Sequence, residues 1–171
     1  MVASLELYFD PHADRRIRAL WDALEAAGVP SLRDLTHRSH RPHLSLVVAD
    51  SLDPAAAADA LKGLPAVPPL TLSFQYVGQF VGRVLFLGPA PNAELLAHQA
   101  EVWRRLDAAG QPMLDLYAPG SWVPHATVSM RVPRPVLSQA IRACLEVLPI
   151  EARLTAAAVV DHKRGLYTPL A

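Results

Sequence analysis

Ser121-Trp122-Val123-Pro124-His125-Ala126-Thr127-Val128-Ser129-Met130 sets a proline, a histidine, a small residue, a hydroxyl and an apolar residue in succession. The same order, Pro, His, apolar, hydroxyl, apolar, occurs earlier as Pro42-His43-Leu44-Ser45-Leu46, with the two histidines 82 positions apart. On a strand, residues i and i+2 share a face, with Cα atoms roughly 6.5–7 Å apart. His125 and Thr127 therefore face one way, and Ala126 and Val128 the other. His43 and Ser45 pair in the same manner, backed by Leu44 and Leu46. Each strand offers one imidazole and one hydroxyl and anchors itself with the apolar residues between them.

The flanking sequence repeats as well. Residues 2–9 alternate, with Leu5, Leu7 and Phe9 on one side and Glu6 and Tyr8 on the other, as a half-buried strand does. Asp10-Pro11 supplies a helix N-cap and a first-turn proline; Ile17, Leu20, Trp21 and Leu24 follow at helical spacing, and Gly28 closes the helix. A polar, loop-like stretch over 30–41 leads to the first histidine strand. Asp53-Pro54 opens a second helix to about Lys62. Leu70-Thr71-Leu72-Ser73-Phe74 alternates, Gly78-Gln79-Phe80 to Gly82 reads as a turn or bulge, and Val84-Leu85-Phe86-Leu87 completes a hairpin. From Asn92 a helix carries Leu95, Leu96, Val102, Trp103 and Leu106 inward and ends near Gly110. Pro135 opens the last helix, with Val136, Ile141, Cys144 and Leu145 on its buried side. A strand over about 154–160 follows, then the Lys163-Arg164-Gly165 turn and a short tail. The two halves, the first ending near Pro65, share the histidine tetrads and the capping prolines. An approximate two-fold axis between them would bring the histidine strands side by side across one cleft.

Composition narrows the partners. The chain has 171 residues, and 51% of them are hydrophobic, enough for one packed domain over 1–171. Lys plus Arg and Asp plus Glu each number 16. That balance argues against affinity won by covering a long phosphate backbone, and leaves room for a short or small phosphate ligand. The single cysteine, Cys144, has no internal partner and is expected as a buried small hydrophobe. The start of the chain shows no leader pattern and no apolar run reaches membrane-spanning length, so a cytoplasmic monomer away from membranes is expected.

Two imidazoles and two hydroxyls converging on one point suit a phosphodiester. Hydroxyls donate to the non-bridging oxygens, a neutral imidazole deprotonates the attacking group, and an imidazolium protonates the leaving oxygen. No metal or other cofactor is expected. His37, His40 and His43 recur every third residue, but without an acidic or cysteine partner they do not read as a metal site, and His37 and His40 are expected in a loop near the cleft mouth. Of the aromatic residues Tyr8, Phe9, Phe80, Tyr117 and Trp122, those adjoining the motifs, Trp122 and Phe80, are the foremost candidates to stack on a base. Lys163, Arg164 and Tyr167 read as a solvated turn and tail that could close over a nucleotide. His12, His98 and His162 belong to no constellation.

The paired His-x-Ser/Thr-x motifs resemble those of the 2H phosphoesterase superfamily, and within it the bacterial 2′-5′ RNA ligase-like family. The likeness extends to the opening strand ending in Phe9-Asp10-Pro11. It also takes in Val77-Gly78-Gln79-Phe80 before Val84-Leu85-Phe86-Leu87-Gly88-Pro89, and the Trp122-Val123-Pro124-His125 approach. It implies an α+β fold of two pseudo-symmetric lobes, two antiparallel sheets flanking a central cleft with helices outside. It implies metal-independent hydrolysis, or the reverse joining, at 2′,3′-cyclic phosphates or 2′-5′ linkages, giving 2′-phosphate ends. By motif position His43 and His125 are the catalytic pair, His125 as base and His43 as acid, and Ser45 and Thr127 hold the phosphate. The implied partner is a 2′,3′-cyclic nucleotide, an RNA 3′ end or another small cyclic phosphate. The alternative is a non-catalytic module that binds nucleotides or RNA ends in the same cleft. One departure stands out: ligase-like relatives often carry an arginine where this chain has Met130, and Arg131 comes one position later.

Overall fold

The computed structural model describes residues 3–33 and 40–170. Strand β1 (Ala3–Phe9) runs into α1 (Pro11–Ala26), where the Asp10 carboxylate accepts from the N–H groups of His12 and Ala13 and Pro11 fills the first turn. Ala13, Ile17, Leu20, Trp21 and Leu24 form the buried stripe of that helix. Then come β2 (His43–Ala49) and α2 (Pro54–Ala60), whose cap Asp53 repeats the arrangement. The second half runs β3 (Thr71–Gln79), β4 (Leu85–Pro89), α3 (Ala93–Ala108), β5 (Ala126–Ser129), α4 (Leu137–Val147), β6 (Ile150–Asp161) and β7 (Leu166–Leu170).

Every strand pair is antiparallel, in the order β2-β1-β6-β3-β4-β5, with β7 on β6. The long β6 belongs to both halves. Ile150 to Arg153 pair with β3, and the later residues pair with β1 and β7. The two expected sheets are thus two wings hinged on one strand. Their far edges, β2 and β5, come back toward each other. Bare edges carry unpaired backbone groups, and the second wing satisfies three carbonyls of β2. Trp122 Nε1 donates to Ser45 O (3.1 Å), Gln99 Nε2 to Leu46 O (3.1 Å) and Leu114 N–H to Val48 O (2.8 Å). Gln99 also donates to Tyr117 O at 2.7 Å, so this buried amide ties α3, β2 and the approach to β5 together.

Several sequence expectations are corrected. β1 is buried on both faces, with Glu6 only 2% and Tyr8 3% exposed, because it is a central strand whose second face lies beneath neighbouring side chains. Leu96 and Leu145 point to solvent. The buried stripe of α3 runs Leu95, Gln99, Val102, Leu106, and that of α4 runs Ala140 and Cys144, one step away in each case. Gly78 and Gln79 lie in β3 rather than in a turn, and the reversal falls at residues 81–83, with Arg83 at φ 67°. The tail is a paired strand, β7. Gly78 has a specific use. It faces Phe86 across the β3–β4 ladder, and a Cβ there would sit 2.2 Å from the Phe86 ring. The bare backbone lets that ring lie flat over β3. Among the described residues no helix is long and apolar enough to cross a membrane.

Candidate active site

Both motif histidines are fixed by the same local device. His43 Nδ1 is 2.7 Å from Arg41 O, and His125 Nδ1 is 2.7 Å from Val123 O. In each case a proline, Pro42 or Pro124, sits between the partners and keeps the preceding residue extended. The carbonyl only accepts, so Nδ1 carries the hydrogen and Nε2 is left for chemistry. His43 opens β2, and His125 stands directly before β5. These are the two strands whose edges approach.

Between the wings lies a cavity of about 940 Å³, lined by His43, Ser45, His125 and Thr127 together. The i, i+2 rule therefore operates on both strands, and both imidazoles and both hydroxyls reach one space. The size suits a nucleotide-scale ligand.

The wall around His125 is aromatic. Phe80 stacks on Phe86 with ring centroids 4.4 Å apart and meets His125 edge-on at 5.0 Å; Phe86 lies 5.4 Å from His125. Burial in this wall depresses the basicity of His125, and the nearby His43 charge adds to the effect against the opposing bond from the Val123 carbonyl. Trp122 lines the cavity but is only 7% exposed, its indole committed to Ser45 O. It is a strut between the wings with one edge on the cleft.

His43 has different company. On the opposing β1 strand, Glu6 is paired in register with Ser45, and its side chain is 3% exposed. Glu6 Oε1 accepts from Ser4 Oγ (2.6 Å), lies 2.9 Å from His162 Nε2 and 3.5 Å from His43 Nε2; Oε2 accepts from Tyr8 Oη (2.6 Å). Burial works to raise the Glu6 pKa, but the His43 charge and the bonds from His162, Ser4 and Tyr8 outweigh it and hold the carboxyl at about 2. Burial and the hydrogen bond to ionised Glu6 push the Tyr8 phenol up.

The remaining candidates divide. His40 lines the cavity, 6.1 Å from His43 and 5.1 Å from His162 between ring centroids, and burial beside those rings lowers it to about 4. His37 lies outside the described residues. Among the described residues no three His, Cys, Asp or Glu side chains are grouped to hold a metal ion. Lys163 reaches the cavity, whereas Tyr167 packs on Tyr8 at 5.7 Å beside the Arg41 guanidinium. Met130 lines the cavity; Arg131 is exposed and does not. Phe9 is a core residue against Phe74. Cys144 is buried, its thiol pushed up to about 12 by that burial. Glu6 and His162 adjoin the site without belonging to either motif; the one sign of them in the sequence is a glutamate at the centre of a strand, where alternation by itself predicts a solvent-facing side chain.

Residues 9–166 match the family described as the 2′-5′ RNA ligase superfamily. No curated protein sequence is similar enough to count as a match. Among solved structures, E. coli LigT complexed with 3′-AMP superposes with a TM-score of 0.66 at 17% identity, over 99% of this chain and 94% of that one. LigT in its apo form gives 0.65 at 20% identity over the same shares. A structure described as a phosphoesterase gives 0.63 at 20%, over 99% and 95%. At these identities the likeness is one of fold. The family match covers almost the whole chain, the fold agrees with it, and the duplicated motif meets in one cleft, so the chain belongs to the 2′-5′ RNA ligase superfamily.

Proposed function

We propose that this chain opens RNA-type 2′,3′-cyclic phosphates, or cleaves 2′-5′ phosphodiesters, by two-histidine acid–base catalysis that leaves a 2′-phosphate. The observation that carries this reading is the pair of identical clamps. Each imidazole is held through Nδ1 by a carbonyl two residues back, and both rings border one cavity with a hydroxyl two positions on. Neutral His125 takes a proton from water through Nε2 as the water oxygen bonds to phosphorus. The bond from phosphorus to the 3′ oxygen breaks, and the His43 imidazolium supplies that oxygen with its proton. Ser45 and Thr127 donate to the non-bridging oxygens, where charge builds. Water is consumed, a 2′-monoester forms, and the two rings exchange protonation states, reset by solvent. With a 5′ hydroxyl in place of water as the attacking group, the same proton transfers join two ends through a 2′-5′ linkage as the bond to the 3′ oxygen breaks.

A small substrate fits the lining. Lys163 is the one Lys or Arg among the described residues that border the cavity, which favours a ligand with few phosphates. Phe80, Tyr117 and Trp122 offer ring edges and faces to a base. E. coli LigT has been captured with 3′-AMP, a ligand of the proposed size.

The test is to incubate purified protein with 2′,3′-cyclic nucleotides and 2′-5′-linked dinucleotides, with and without chelator, and follow products by chromatography. The expected outcome is a 2′-monophosphate product, unchanged by chelator. Binding without product after long incubation would replace this reading with the non-catalytic nucleotide-binding one.

A further inference from the structure

We propose that Glu6 is a positioning residue, the buried counter-charge that keeps the reacting proton on His43 and so makes His43 the acid and His125 the base of a nearly symmetric pair. This rests on the two-histidine reading above and adds a residue outside the motif.

The two histidine clamps are alike to the first atom, so the motif alone does not say which ring begins with the proton. Their surroundings do differ. His125 meets Phe80 and Phe86, an apolar wall that disfavours a charged ring, while its carbonyl clamp is matched by the one on His43 and does not tell the two apart. Glu6 Oε1 lies 3.5 Å from His43 Nε2, both side chains being shielded, at 3% and 11% exposure. A buried carboxylate is costly unless a cation or several donors attend it. The groups facing Glu6 are Ser4 and Tyr8 from its own strand, His43 from β2, and His162 just beyond β6. Further out, Tyr117 senses its charge, His40 lies beside His43 and His162, and Arg41 sits over the Tyr8 ring at 4.4 Å. Among these, only the imidazoles touch the carboxylate and can carry positive charge.

The distance is informative in itself. At 3.5 Å the His43–Glu6 contact is electrostatic and too long for a strong hydrogen bond. The carboxylate's own bonds go to Ser4, Tyr8 and His162 instead. His43 thus gains a counter-charge while its Nε2 hydrogen stays available to a leaving oxygen. Because Glu6 remains ionised down to about 2, that field is present throughout any working pH range.

The experiment is an NMR titration of ring-labelled histidines in the wild-type chain and in Glu6→Gln, a near-isostere that removes the charge. In the variant the His43 midpoint falls relative to the wild type, because the counter-charge beside it is gone. The His125 midpoint moves far less, and Glu6→Asp restores part of the loss. In kinetics, the alkaline limb of kcat/KM for cyclic nucleotide falls with the His43 midpoint while the acid limb stays. Coupling is reciprocal, so His43→Ala must raise the Glu6 carboxyl midpoint above its value of about 2. That arm serves if Glu6→Gln does not fold. A His43 midpoint indifferent to Glu6→Gln, or a Glu6 carboxyl indifferent to His43→Ala, overturns the proposal. Titrations as expected in a chain that turns nothing over would support the pairing and sink only the catalytic reading it rests on.

Discussion

Gly78→Ala is the sharpest probe of how the sheet builds the site. The added Cβ would lie 2.2 Å from Phe86 Cζ and 2.5 Å from Cε2. Carbon atoms pack at about 3.5 Å or more, so the ring must withdraw by about 1.3 Å. It has little freedom to do so, being 5% exposed and packed on Phe80 and His125. Overpacking of this kind costs about 1–3 kcal/mol. With a urea m-value of about 2 kcal/mol/M, the midpoint should fall by roughly 0.5–1.5 M. Because the displaced ring touches His125, kcat on a cyclic nucleotide should fall as well. Gly88→Ala is the internal control. Its Cβ would clash with Tyr76 at 2.0 Å, which is nominally worse, yet Tyr76 is 43% exposed and can swing into solvent. Urea melts of both variants decide the matter. Equal losses, or a silent Gly78→Ala, would refute the claim that a bare backbone seats the aromatic wall.

Other outcomes follow from the same geometry. His43→Ala and His125→Ala should each lower kcat by about 10²–10⁴-fold with circular dichroism unchanged; a variant with near-normal turnover would remove that ring from the mechanism. Gln99→Leu strips the bonds to Leu46 O and Tyr117 O and leaves buried carbonyls unpaired, a loss of about 1–3 kcal/mol that chemical denaturation would register. Acid should destabilise the fold in stages. His40 and His125 have folded-state pKa values below the ordinary 6.5, so the unfolded chain binds more protons and stability is lost as pH falls below 6.5, for His40 through about 4. Glu6, also depressed, contributes stability present above its ordinary 4.5 and lost as pH falls through about 2. Thermal melts from pH 7 to pH 2 should show a descending Tm; a flat profile would contradict the burial of these groups.

Much of the architecture was legible because the signals were local. Asp10-Pro11 and Asp53-Pro54 opened helices where an N-cap and a first-turn proline require them. The Pro-His-x-hydroxyl spacing sufficed to put His43 on one face with Ser45, and His125 with Thr127, since the i, i+2 rule needs no tertiary knowledge; that both faces border one cavity comes from the approach of β2 and β5. What stayed hidden depends on strand order. Alternation in β1 was visible, but whether its polar face met water or protein depended on β1 lying between β2 and β6. His162 looked isolated because its partner, Glu6, is 156 positions earlier, joined only by the β1–β6 register. Leu96 and Leu145 failed for a smaller reason: each adjoins another apolar residue, Leu95 or Cys144, and two neighbours in one helix cannot share a narrow stripe, so spacing alone does not say which is buried.

The same distinction bears on how a duplicated motif acquires direction. Repetition supplies symmetry: two prolines, two backbone clamps, two hydroxyls. A reaction that moves a proton in at one side and out at the other needs the symmetry broken, and the residues that break it lie outside the repeat. On one side stand Phe80 and Phe86, seated by Gly78, around His125; on the other stands Glu6, held by Ser4, Tyr8 and His162, beside His43. An apolar wall penalises the charged ring, and a buried anion favours it. The two effects act in opposite senses on two equivalent rings, and in the proposed reaction it is their combination that sets the direction in which the proton moves.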